Sequence, residues 1–167
     1  MEFFDLVKTR RSIRHYESGF VVPFEDVKKI IEAGMYAPSA MRKMPWEFMV
    51  ITDQVLLSKI EKEHKYASFA TSAGVMIAVC EDTRASHAGM GVLDVAMASQ
   101  NMMLAAHDLG YGTCFCGVYP ETDEKFGELI QVPAYVRVIG LIAVGKSIET
   151  KPTPERYDEL KVHVNRW

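Results

Sequence analysis

The 167 residues are 49% apolar and 25% charged, ordinary proportions for a globular domain, and the length suffices for one domain with its own core. A net charge of −3 gives no basic field for nucleic acid, and the longest apolar runs, residues 75–80 and 138–144, fall far short of a membrane span. The opening MEFFDLVKTRRSIR lacks the apolar stretch of a signal peptide, so a soluble, cytoplasmic protein is expected.

Phe3, Phe4 and Val7 sit at helical spacing, so residues 2–10 read as a short helix, and residues 12–16 follow as extended chain. Pro23 with Glu25 and Asp26 marks a helix start, and Val27, Ile30, Ile31 and Met35 carry the helix to about Tyr36, before Pro38. Residues 47–52 (EFMVIT) read as a strand, 54–64 as an amphipathic helix, and 74–80 (GVMIAVC) as a buried strand. The longest helix runs from about Met90 to Leu109. It is apolar around much of its surface and rich in small residues, which suits a central helix approached closely by another, and Gly110 closes it. A strand over 111–118, a short helix over 123–130 and a buried strand over 137–144 complete the pattern. Residues 146–167 are polar and proline-bearing, with Tyr157, Val162, Val164 and Trp167 as spaced apolar anchors; they read as a tail laid over a surface. The whole chain is one α+β domain, a mixed sheet covered by helices.

Three stretches hold residues able to carry chemistry. In extended chain Arg10, Ser12 and Arg14 point to one face, and two guanidinium forks with a hydroxyl suit a phosphate dianion; a solvated basic turn explains the same run, to which Lys8 and Arg11 also contribute. Residues 37–46 (APSAMRKMPW) form a loop framed by prolines, stiff enough to clamp a flat ligand, or simply a connector. Residues 109–117 (LGYGTCFCG) place glycines where backbone can approach a ligand, with neither a P-loop nor a dinucleotide fingerprint. Cys80, Cys114 and Cys116 lie in apolar runs and read as buried reduced thiols of a reducing compartment. The five histidines, His64 among them, show no metal spacing.

In this order, Arg-Arg-Ser-x-Arg, Ala-Pro-Ser-Ala with Pro-Trp-Glu-Phe, a long Ala-rich helix running into Gly-Tyr-Gly-Thr-Cys-Phe, and a closing Lys-Pro-x-Pro-x-Arg resemble the nitroreductase family of FMN enzymes over essentially the whole chain. The resemblance implies a mixed, mainly antiparallel sheet flanked by helices in an intertwined homodimer, with FMN at the subunit interface and the 146–167 tail around the partner. It implies that Arg10, Ser12 and Arg14 hold the phosphate and ribityl chain, with Arg11 near the ring and Arg156 reaching the phosphate. It further implies that Pro38, Ser39 and Ala40 approach the flavin from the other subunit and that Gly117 offers its backbone N–H near N5. Arg42 and Met44 stand where such loops usually carry Asn and Gln, so Arg42 adds positive charge near the cofactor and the acceptor is left open. The implied reaction is ping-pong: NAD(P)H reduces the flavin, then a small acceptor such as a nitroaromatic or quinone takes the electrons. No side chain is needed as acid or nucleophile. Other flavin chemistry on the same fold (dehalogenation, dehydrogenation, flavin breakdown), non-catalytic FMN binding, and a cofactor-free interaction domain are the alternatives.

Overall fold

A computed structural model describes residues 1–167. Five helices and four strands follow one another as α1 (Phe3–Thr9), α2 (Phe24–Met35), β1 (Trp46–Ile51), α3 (Gln54–Glu63), β2 (Val75–Asp82), α4 (Gly91–Asp108), β3 (Gly112–Gly117), α5 (Asp123–Ile130) and β4 (Val136–Gly145). Each lies within two residues of the bounds its periodicity predicts. Gly110 ends α4 at φ +89°, a conformation that favours glycine, and Asp53 caps α3 by accepting the Leu56 N–H at 2.8 Å.

The sheet order is β1-β2-β4-β3, and every ladder is antiparallel. The mixed character expected of the sheet comes down to a single parallel bridge, Ser12 to Thr113, on the outer side of β3. Every residue of β2 is buried, because both faces of the sheet are covered. Val75, Ile77, Val79, Ile142 and Val144 face α2 and α4 with Val95, Ala98 and Met102. Met76, Ala78, Cys80, Leu141 and Ala143 face the opposite layer with Leu57, Ile60, Phe126 and Ile130. The period of two in the strands thus sorts one apolar run into two cores. Close approach of α2 to α4 depends on Gly34, where a Cβ would lie 2.7 Å from Met102 Cγ.

Two parts of the chain contribute nothing to these cores. No residue of α1 is buried, and from residue 152 onward every residue is exposed. The tail departs later than its composition implies. Residues 146–149 stay on their own chain: Glu17 N–H donates to Lys146 C=O, Ile148 N–H donates to His15 C=O, and Tyr16 pairs with Ser147. Polar composition signals solvent contact on one side only, and here the other side bonds to backbone. No helix is long and apolar enough to cross a membrane.

Candidate functional site

The site is built on the outer edge of β3. Ile13 N–H donates to Thr113 C=O at 2.8 Å, docking the 11–16 segment on that edge. The contact is close enough that a Cβ on Gly112 would meet Ile13 Cβ at 2.9 Å. Arg10 is the residue that closes α1, its N–H donating to Leu6 C=O, so the alternation of an extended chain starts after it. Arg10, Ser12 and Arg14 do not line one cavity. Arg10 and Arg11 border a cavity of about 330 Å³ with His107, Thr113, Glu149 and Lys151. Arg14 borders a separate cavity of about 510 Å³ with Tyr66, Phe69, Cys114, Cys116 and Gly117.

The first cavity is strongly cationic. Burial, then neighbouring Arg11 and Arg156, push the Arg10 guanidinium below its ordinary value, which sets Arg156 of the tail within electrostatic reach of it. Lys151 Nζ donates to Ser12 C=O. Glu149 is the balancing carboxylate: it accepts from Arg14 N–H at 2.6 Å and lies 3.0 Å from His15 Nδ1 and 3.3 Å from Lys151 Nζ. Burial alone would raise its pKa, but the bonds from Arg14, His15 and Lys151 outweigh that and hold it down to about 2. Arg11 donates from Nε to Pro152 C=O and from Nη1 to Arg10 C=O, while its buried Nη2 has no partner. Thr113 Oγ1, on the same cavity, is also buried and unpartnered. Orphaned buried donors are costly and rare. Two of them among clustered cations fit an anion with several acceptor oxygens, as a phosphate monoester has.

The second cavity is mostly aromatic and apolar, with Arg14, Lys65 and Ser68 as its polar exceptions. All three cysteines are free and buried. Cys114 and Cys116, two residues apart on β3, share a face of the strand. The neighbouring Cys116 thiol, together with Arg14, Lys151 and Arg10, draws the Cys114 thiol down against the effect of burial, while Cys114 and burial push Cys116 up. Gly117 ends the strand at the cavity rim. Nothing in the chain demands a glycine there: a Cβ would meet only Phe115 Cε1, at 3.6 Å, which is ordinary contact. Open space in front of a glycine backbone allows a ligand to come close.

The proline-framed loop stands apart from both cavities. Ala40 N–H donates to Asp94 Oδ1 at 2.9 Å, tying the loop to the first turn of α4, and Ser39 Oγ accepts Met44 N–H at 2.9 Å. Met41, Arg42 and Met44 have φ of 52°, 56° and 47°, three left-handed non-glycine residues within four positions. Pro38, Arg42 and Met44 are exposed, while Ser39 and Ala40 are half-buried. Trp46, at the loop's end, is a core residue. Within the chain, therefore, Arg10, Arg11, Ser12, Arg14, Gly117 and Arg156 gather along the β3 edge, and Pro38, Ser39, Ala40, Arg42 and Met44 do not join them.

Sequence reasoning passed over Glu149, Lys151 and His64. Lys151 opens the quoted Lys-Pro-x-Pro-x-Arg stretch and was legible as a cation beside it. Glu149 is held chiefly by Arg14 and His15, and His64 by the Gly117 carbonyl, partners remote in sequence that leave no local signature.

A family model described as the nitroreductase family matches residues 7–65 and 54–146. A protein of Methanothermobacter thermautotrophicus, provisionally named NADH dehydrogenase/NAD(P)H nitroreductase, is 38% identical over all of this chain and 88% of its own length. A protein of the same provisional name from Parabacteroides distasonis, solved by crystallography, superposes with a TM-score of 0.93 at 31% identity, covering 98% of both chains. An FMN-dependent nitroreductase of Clostridium difficile R20291 superposes with a TM-score of 0.90 at 29% identity, covering 99% of this chain and 100% of its own.

Proposed function

The chain belongs to the nitroreductase family, and on that premise we propose that it is an FMN-dependent oxidoreductase that draws electrons from NAD(P)H and passes them to small acceptors, nitroaromatics or quinones, in two alternating half-reactions. The observation that carries the reading is the pairing on one sheet edge of a cationic cavity holding two orphaned buried donors with a largely apolar, aromatic-lined cavity rimmed by an open glycine. A phosphate at one end and an aromatic ring at the other is the outline of FMN. When bound, FMN supplies two-electron redox chemistry between donor and acceptor.

Arg10, Arg11 and Thr113 hold the phosphate, with Lys151 beside them and Arg156 reaching in from the tail. Ser12, on the bridge between the cavities, meets the ribityl chain. This assignment moves two residues from what the resemblance implies. Arg11 goes to the phosphate, supported by its orphaned Nη2. Arg14 goes to the ring, supported by its sharing a cavity with Gly117. There Arg14 and the Gly117 N–H stabilise negative charge on the reduced ring. Pro38, Ser39, Ala40, Arg42 and Met44 reach the flavin from the other subunit of a homodimer. Exposed Met41 and Met44, Val92, Leu93 and Met97 on α4, and the apolar anchors of the tail support that assembly. Donor and acceptor occupy the same space over the ring in turn, and no side chain is asked to transfer a proton. Buried free thiols suit the reducing cytoplasm.

The test is the visible spectrum of the purified protein, recorded anaerobically before and after NAD(P)H. A yellow protein that bleaches supports the reading, and one that stays yellow is a flavin binder without this activity. A protein that stays colourless after FMN is added overturns the proposal.

A further inference from the structure

His64 is buried at the end of α3, and both of its ring nitrogens are engaged. Tyr66 N–H donates to Nδ1 at 3.2 Å, so Nε2 carries the proton, and Nε2 lies 3.0 Å from the Gly117 carbonyl oxygen. The ring is held edge-on to Phe126, centroids 5.3 Å apart. A third bond runs beside these two, from the Cys116 thiol to Tyr66 C=O at 3.4 Å. Two of these hydrogen bonds join residues 64–66 to residues 116–117, the other bracing the His64 ring from within its own segment, and Tyr66, Cys116 and Gly117 together line the larger cavity.

Val118 N–H donates to Ile139 C=O at 3.0 Å. Alternation along an antiparallel ladder then turns both the N–H and the C=O of Gly117, the neighbouring residue, off the free edge of the sheet. His64 occupies the C=O. The N–H is left facing the cavity. Glycine fixes its own backbone direction less than any other residue, so a tether from outside the strand is what keeps that N–H aimed.

We propose that His64 is a positioning residue, locked as the Nε2–H tautomer, that holds the Gly117 carbonyl so that the Gly117 N–H stays directed at the reactive edge of the flavin. The role rests on the FMN reading above; His64 itself touches no cofactor. It acts on the reduced ring more than the oxidised one, because the ring edge becomes the better acceptor as it gains charge.

Two variants separate positioning from packing. His64→Gln keeps a side-chain N–H close to the place of Nε2, and His64→Leu removes it at similar bulk. In the holoproteins, His64→Leu weakens binding of reduced relative to oxidised FMN about tenfold, the size of one hydrogen bond, which is a midpoint potential lower by about 30 mV. His64→Gln keeps the wild-type potential. Equal potentials in wild type and His64→Leu overturn the proposal. Should the leucine variant not fold, nitrogen-15 NMR of the wild-type apoprotein decides: the Nε2–H tautomer at neutral pH supports the proposal, and Nδ1–H or a doubly protonated ring overturns it. A wild-type protein that takes up no FMN overturns the functional reading and the positioning role together, while the tautomer still judges the His64–Gly117 bond by itself.

Discussion

Helix α4 presents two faces made of the same kinds of residue and held in opposite environments. Val95, Ala98, Met102 and Ala106 are fully buried against α2 and the sheet, whereas Val92, Leu93 and Met97, one turn away, are 42%, 50% and 47% exposed. The β3 edge and the tail repeat the contrast. Ile13 and Cys114 are sealed inside, but Tyr157, Leu160 and Trp167 project freely, the last completely. One chain thus finishes its own core and gathers the cationic cavity, and leaves a second apolar surface, the proline-framed loop and the tail exposed. Side-chain type is therefore no guide to which face is finished; position relative to the sheet is.

Removing residues 153–167 breaks the contrast at its widest point. Self-association is expected to weaken by at least about a hundredfold, since exposed aromatic anchors carry much of such binding energy, and bound flavin is lost on dialysis with it; sedimentation velocity and absorbance at the flavin band read both. Met102→Ala attacks the finished face instead and lowers the stability of the subunit by about 2–4 kcal/mol in urea unfolding. Arg14→Ala and Arg10→Ala each weaken FMN binding about ten- to a hundredfold, as loss of a charge-assisted contact does; unchanged flavin occupancy after dialysis would count against the assignment. Glu149 supplies a pH signature. Its carboxyl is held at about 2 against an ordinary 4.5, so its contribution is whole above the ordinary value and drains away as pH falls from about 4.5 through about 2. Thermal melting across that range shows a slope that Glu149→Gln removes. Met97→Ala is the smallest effect: less than about 0.5 kcal/mol on the isolated subunit, with a measurable loss only in self-association.

Local elements were legible because each carried its own punctuation. Pro23 and the acids after it began α2, Gly110 ended α4, and short uncharged apolar runs marked β2 and β4. The site was legible in part. The Arg-Arg-Ser-x-Arg run announced charge, but alternation alone put Arg10 and Arg14 on one face, whereas the two border separate cavities. The opposite placement of Arg11 and Arg14 could be read only once β3 was known to lie at the sheet's edge, a matter of strand order that no local pattern encodes. His64 was passed over for the same reason: its partner, Gly117, is a backbone oxygen 53 positions away.

The strand order has one more consequence. A strand with one side unpaired offers its row of amide groups to any other extended chain, and proteins usually cover such a row or blunt it. On β3 the row is occupied piecemeal, Thr113 C=O by Ile13 and Gly117 C=O by His64. The Gly117 N–H faces the larger cavity. On the proposed function, a flavin held along this edge would also guard it against pairing with a fifth strand. Protein stripped of flavin should then clump more readily than loaded protein at the same concentration, and adding FMN back before warming should keep it in solution.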